Sequence, residues 1–263
     1  MMQQGGTSLD REAPALVLSA ALLGENNARV HVLTEANGLV RGVAYGARSR
    51  AGSALWQPGN LVKTRFQARS AGGMLRLSGE LLYGCGFRLL DAPLTLSMVQ
   101  SVCVLADAAL PEGEPCPALF AQTVQLLSFL GFDPVVSELE GLPDVVRWEC
   151  ALLTELGFGL DFSSCAVTGA TTGLAYVSPK TGKAVSEEGA GEWKDRLLQL
   201  PSFLLSDDEA GTPEDWLAGL RLTGHFLARD AFGQRHRPLP AARERLADRV
   251  ARLAGQPDEA PDE

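Results

Sequence analysis

Leu61-Val-Lys-Thr-Arg-Phe-Gln-Ala-Arg69 alternates with a period of two: Leu61, Lys63, Arg65, Gln67 and Arg69 fall on one side, Val62, Thr64, Phe66 and Ala68 on the other. A strand of this kind keeps one face in a core and one in water, and here the wet face is cationic. Phe66 lies opposite Lys63 and Arg65, which assigns it to the core. Outward from this run, Pro58-Gly-Asn60 opens it, and Gly72-Gly73 turns the chain into Leu75-Arg-Leu-Ser-Gly-Glu-Leu-Leu-Tyr83. Upstream, Ala15-Leu-Val-Leu-Ser-Ala-Ala-Leu-Leu23 ends at Gly24-Glu-Asn-Asn27. Arg29-Val-His-Val-Leu-Thr34 follows, with Val30 and Val32 on one face and Arg29 and His31 on the other. Ala36-Asn-Gly38 then turns into Leu39-Val-Arg-Gly-Val-Ala-Tyr45. Five short strands in roughly 70 residues, punctuated by glycine, predict a small Greek-key barrel of the OB type over residues 12–84.

Past Pro93 the period changes to about 3.6. Leu94, Met98, Val102 and Leu105 form one stripe, Leu119, Phe120, Val124, Leu127 and Leu130 a second, and Val145, Trp148, Leu152 and Leu156 a third; Gly131 and Gly157 sit where helix C-caps belong. Between residues 160 and 190 the helical period fails, and Ser178-Pro-Lys-Thr-Gly182 between Leu174-Ala-Tyr-Val177 and Lys183-Ala-Val-Ser186 reads as a β-hairpin. Two further helices are expected, at Thr212–Ala228 and Pro240–Leu253, the first opened by Thr212-Pro-Glu-Asp. The fold class is thus α+β and multidomain: an OB barrel, then a mainly helical domain over 85–255 carrying a β-hairpin insertion at about 160–190. Residues 1–11 form a loose lead-in, and 256–263 form an acidic, disordered tail.

The net charge of −9 speaks against a polyanion binder, but the average conceals a segregation. Between Arg41 and Arg76 stand Arg41, Arg48, Arg50, Lys63, Arg65, Arg69 and Arg76, without one Asp or Glu. Leu77–Leu220 holds 21 acidic residues against six basic, and Arg221–Val250 turns basic again with seven arginines. A cationic strand and loop repel themselves unless a polyanion supplies the countercharge, so Arg41, Arg48, Arg50, Lys63 and Arg65 are the candidate phosphate contacts. Tyr45, Trp56 and Phe66 are interleaved with them. Trp56, ahead of Pro58, is a candidate stacking platform for an unstacked base, with packing as the alternative.

Chemistry that breaks bonds has no visible seat. His31, His225 and His236 stand in no ligand spacing, and the chain contains no Gly-x-Ser-x-Gly, Walker loop or Asp-x-Asp cluster. Glu187-Glu188 and Asp207-Asp208-Glu209 read as solvated surface, and no cofactor is indicated. The five cysteines are widely spaced, without a Cys-x-x-Cys pair, so they read as reduced, mostly buried thiols. Cys165-Ala-Val-Thr168 offers one thiol where a metal knuckle needs two pairs. The apolar stretches are too short or too interrupted to cross a bilayer and the start has no basic leader, so the expected location is cytoplasmic, with no membrane partner.

Gly46-Ala-Arg-Ser-Arg50 followed by Leu55-Trp-Gln-Pro58 resembles the RecO family of bacterial DNA-repair and recombination mediators. The likeness continues, in the family's order, through Val17-Leu-Ser19, Gly24-Glu25, Thr34-Glu35, Arg147-Trp-Glu149, Leu156-Gly-Phe-Gly-Leu-Asp161, Cys165-Ala-x-Thr-Gly169, Tyr176-Val-Ser-Pro-Lys-Thr-Gly182, Arg237-Pro-Leu239 and Arg243-Glu-Arg-Leu246. The resemblance implies an OB domain, a helical domain, and an inserted element that in some members binds zinc through four cysteines; with only Cys165 present, the zinc is not carried over. It further implies binding of single- and double-stranded DNA, annealing of complementary strands, and, with RecR, help to RecA in displacing the single-stranded DNA-binding protein, whose acidic C-terminal tail docks on the helical domain. That function is non-enzymatic and nucleoid-associated. Arg147 matches a basic family position and is the candidate tail contact. Two other readings remain: an adaptor whose basic barrel holds an acidic protein segment and never DNA, and a nuclease or RNA-modifying enzyme, the latter weakened by the missing catalytic cluster.

Overall fold

A computed structural model of the chain describes residues 11–68, 74–85, 89, 91–206 and 208–255. Nearly all of the expected lead-in, the Gly72-Gly73 turn, Arg69 and the acidic tail lie outside these residues. The chain gathers into two compact units, Met1–Leu90 with Ala106–Phe132, and Asp91–Leu105 with Asp133–Glu263.

The first unit is built on five strands, β1 (Arg11–Leu23), β2 (Asn27–Thr34), β3 (Gly38–Ala44), β4 (Leu61–Gln67) and β5 (Leu75–Tyr83), with a short helix α1 (Arg50–Leu55) between β3 and β4. They close into a barrel in the order β1-β2-β3-β5-β4. β1 pairs antiparallel with both β2 and β4, and β3 with β5 in parallel, the connectivity of the OB architecture. The inward period-two set, Val17, Val30, Val32, Val40, Val62, Phe66 and Leu77, forms the barrel core. Each such side chain contributes about 1.5–3 kcal/mol by leaving water, so a one-residue slip of register would be strongly opposed. β1 is longer than its apolar pattern: it begins at Arg11, and its first residues, polar outward, pair with β4, with Glu12 opposite Arg65. Helix α1 has no apolar stripe to announce it. It is set by Ser49, whose hydroxyl accepts from Gly52 N at 3.0 Å.

The first helical stripes are α2 (Pro93–Ala109) and α3 (Pro117–Phe132). The end of α2 and all of α3 group with the barrel, where Tyr83 donates to Ser128 O at 3.3 Å and Cys85 Sγ lies 3.8 Å from Leu127 O. Compactness therefore cuts the chain differently from a boundary near residue 84. Gly131 is not the C-cap its position suggested, because α3 runs on to Phe132. A Cβ there would meet Cys85 Sγ at 2.8 Å and Tyr83 Oη at 2.9 Å, so glycine is required by close packing.

In the second unit, α4 (Pro134–Glu155) starts at Asp133, whose carboxylate accepts from Val136 N at 3.3 Å, and stops before Gly157, at φ +84°. The insertion holds three strands: β6 (Leu174–Val177), β7 (Ala184–Ser186) and β8 (Leu198–Gln199), in the order β7-β6-β8, with a short helix α5 (Glu187–Ala190) after β7. β8 is two residues long and shows no period that a sequence could reveal. Helix α6 (Pro213–Phe226) opens on a reciprocal capping box of Thr212 and Asp215, and α7 (Ala241–Leu253) packs on it. No helix among the described residues is long and apolar enough to cross a membrane.

Candidate nucleic-acid interface

The barrel presents its cations outward, but tertiary pairing sorts them into two groups. Lys63 Nζ lies 3.0 Å from Glu12 Oε2, and Arg65 Nη2 lies 2.8 Å from Glu12 Oε1. Hydrogen bonding and charge from Lys63, then the charge of Arg65, hold the Glu12 carboxyl below its ordinary value, and Glu12 in turn raises the Lys63 ammonium. On the other side of β4, Lys63 is registered against Glu80 of β5. Arg41 on β3 is also compensated, 2.8 Å from Glu112 Oε2. The block that carries no acid in sequence thus meets Glu12, Glu80 and Glu112 in space. These pairs are exposed, so water and salt screen them and a phosphate can compete for the same cations.

The other group has no ion-pair partner among the described residues. Arg48 and Arg50 are exposed on the turn into α1, where the Arg48 guanidinium donates to Glu25 O at 3.4 Å and its amide to Asn26 O at 3.4 Å, and neither forms an ion pair among the described residues. Arg29, expected on the wet face of β2 but not nominated from the sequence, is exposed as well. The register β2–β3–β5 places Arg29, Val43 and Arg76 in one row, with the Arg76 guanidinium 5.1 Å from the Tyr45 ring centre. Tyr45 is 58% exposed and leaves an aromatic surface beside a cation. Next to this row, Arg29, His31, Arg41, Gly42, Met74, Leu75 and Glu112 line an open cleft of about 700 Å³.

Two nominated residues are engaged within the fold. Trp56 is 5% exposed and belongs to the barrel core. Stacking on a base is therefore closed to it, because α1 turns the ring inward. Arg147 is turned into its own unit: Nε and Nη2 donate to Phe203 O at 3.2 and 2.9 Å, Nη2 also reaches Ser206 O at 3.3 Å, and Nη1 pairs with Asp144 at 2.7 Å. Its donors tie down the segment after Phe203, a role that no local pattern signals, and 27% of the side chain stays exposed.

His31, Ser19 and Asp107 come together on the outer face, but both His31 Nδ1 (2.6 Å) and the Ser19 hydroxyl (2.8 Å) address the Asp107 carboxylate. Both bonds end on the one carboxylate and none is seen between imidazole and hydroxyl, so the group acts as a clasp on the barrel.

A closed barrel with a cationic, aromatic outer face, followed by helices and a small sheet, is matched by two family models along the chain. Residues 9–84 match the N-terminal domain of Recombination protein O, and residues 90–239 match its C-terminal domain. The chain belongs to the RecO family. DNA repair protein RecO of Gluconacetobacter diazotrophicus is 53% identical over 245 residues, covering 93% of this chain and 96% of that one. The protein of the same name from Granulibacter bethesdensis is 48% identical (92% and 95% covered), and that from Acidiphilium cryptum 46% (94% and 98%). The OB barrel, the helical region with its strand insertion, and a role in DNA repair all agree with RecO membership. The zinc that the resemblance implies for some members does not fit here: among the described residues no three His, Cys, Asp or Glu converge, and the groups beside Cys165 are the hydroxyls of Thr168 and Ser186.

Proposed function

We propose that this chain is a DNA-binding mediator of recombinational repair that works without bond chemistry. It anneals complementary single strands and, with RecR, assists the loading of RecA on DNA covered by the single-stranded DNA-binding protein, docking that protein's acidic tail on the helical unit. The carrying observation is the group Arg29, Arg48, Arg50 and Arg76 on one barrel, without an ion-pair partner among the described residues and with exposed Tyr45 among them. Annealing requires that strand repulsion be screened while exchange stays fast, and a shallow cationic face without base pockets suits it. Arg41, Lys63 and Arg65 join the phosphate path by exchanging a carboxylate for a phosphate. Arg147 acts only indirectly, by fixing the segment after Phe203. Single- and double-stranded DNA are both ligands of this face, in the cytoplasm at the nucleoid.

The test is annealing of complementary oligonucleotides coated with the single-stranded DNA-binding protein, with and without RecR, followed by fluorescence. Acceleration that fades as salt rises supports the reading; no acceleration at any salt overturns it. Glu12→Gln supplies a second check. Removing the negative charge that Lys63 and Arg65 share should tighten binding of a single-stranded oligonucleotide at low salt by roughly three- to tenfold, and steepen the plot of log affinity against log salt by up to about 1.4, or 0.7 for each added phosphate contact. Unchanged affinity would remove Lys63 and Arg65 from the phosphate path.

A further inference from the structure

Cys165 sits at a point where two pairs of positions meet. Cys165 and Thr168 are separated by two residues, and so are Ser186 and Gly189, the spacing with which two knuckles offer four ligands to one tetrahedral ion. Their convergence is spatial. The Ser186 hydroxyl lies 3.3 Å from Cys165 Sγ and 3.3 Å from Thr168 Oγ1. A Cβ on Gly189 would stand 2.9 Å from Cys165 Sγ, 3.1 Å from Ser186 Oγ and 3.3 Å from Thr168 Cγ2. Two neutral hydroxyls, a glycine and one thiol are not a zinc donor set, yet the loop around them keeps the shape such a set would impose.

What occupies the centre is the sulfur itself. Cys165 is 3% exposed. Its Sγ accepts from the amides of Val167 (3.4 Å), Thr168 (3.4 Å) and Ser186 (3.1 Å) and from the Ser186 hydroxyl. Ser186 Oγ in turn accepts from Gly189 N at 3.1 Å, so the other three positions are bonded to the sulfur directly or through one hydroxyl. We propose that this insertion is a metal knuckle rebuilt without its metal, in which the sulfur of Cys165, as the shared acceptor of these donors, holds together positions 165, 168, 186 and 189. Desolvation pushes the thiol up, but the bonds from Ser186 and Thr168 outweigh it and bring the group down to about 6, which favours the anionic sulfur as acceptor at neutral pH. The three-stranded sheet then stays folded regardless of zinc supply.

The experiment uses the full chain. Elemental analysis of protein purified without chelator should find far less than one equivalent of zinc, and amide exchange across 165–190 should not respond to EDTA. Cys165→Ala should speed exchange at Val167, Thr168 and Ser186 about tenfold or more, the loss of one net hydrogen bond, while amides of α7 keep their rates; Cys165→Ser, which retains an acceptor, should restore part of the protection. The variant T168C/S186C/G189C, checked for wild-type exchange outside 165–190, should take up one Co2+ with a sulfur-to-metal charge-transfer band. Stoichiometric zinc in the wild type, unaltered exchange in Cys165→Ala, or a folded triple variant that ignores Co2+ would each overturn the proposal.

Discussion

Replacing Arg243 by leucine is expected to cost the second unit about 3–5 kcal/mol. Arg243 and Glu149 are 2% and 0% exposed. Arg243 Nε meets Glu149 Oε1 at 2.5 Å and Nη2 meets Oε2 at 3.0 Å, a fork that joins α7 to α4. Nη2 also donates to Leu220 O at 2.7 Å, and the Thr223 hydroxyl donates to the same carboxylate, so α6 is drawn into the network. Removing the guanidinium leaves the carboxylate without its countercharge in a dry interior, and that desolvation, more than the lost attraction, sets the cost. The double variant Glu149→Leu/Arg243→Leu should therefore be less destabilised than Arg243→Leu alone. Urea denaturation of the four members of the cycle checks both statements; a single-variant loss under 1 kcal/mol would show that water reaches the pair.

Charge reversal at Arg48 and Arg50 is expected to weaken single-stranded DNA binding by at least about tenfold at low salt, and to flatten the salt plot by about 1.4 for two lost phosphate contacts. Both side chains are exposed on the turn into α1, and neither carries part of the barrel core, so the fold should be unaffected. The two effects must appear together. Weaker binding with an unchanged slope would mean a shape change, and indifference on both counts would move the phosphate path to the row of Arg29 and Arg76. Fluorescence anisotropy from low to moderate salt separates these outcomes. Arg48→Glu/Arg50→Glu and Glu12→Gln should move affinity in opposite directions, which distinguishes a charge effect on the DNA from a general loss of barrel stability.

Much of the site was legible because its residues stand on strands. Period-two alternation put Lys63 and Arg65 in water and Phe66 in the core, and the register confirms that division. The pairing of Lys63 and Arg65 with Glu12 was not legible, since it depends on β1 extending to Arg11 against β4, through polar residues with no apolar signal of their own. Arg41 and Glu112 lie 71 positions apart. Trp56 was undecided for a similar reason: its environment is made by a six-residue helix whose formation rests on one serine cap.

The barrel, the main helices, the family and the cationic character of the first unit were legible along the chain, because they depend on periodicity, turn residues and composition, all properties of neighbours in sequence. Which cations keep an ion-pair partner, the ties of Arg147 to the segment after Phe203, the burial of Glu149 and Arg243, in two separate motifs of the resemblance, as one pair, and the meeting of Cys165, Thr168, Ser186 and Gly189 at one point came only with the folded backbone. These are matters of charge and hydrogen bonding between distant segments. Such forces act through space over a few ångströms, so only the folded path of the backbone determines which groups they join.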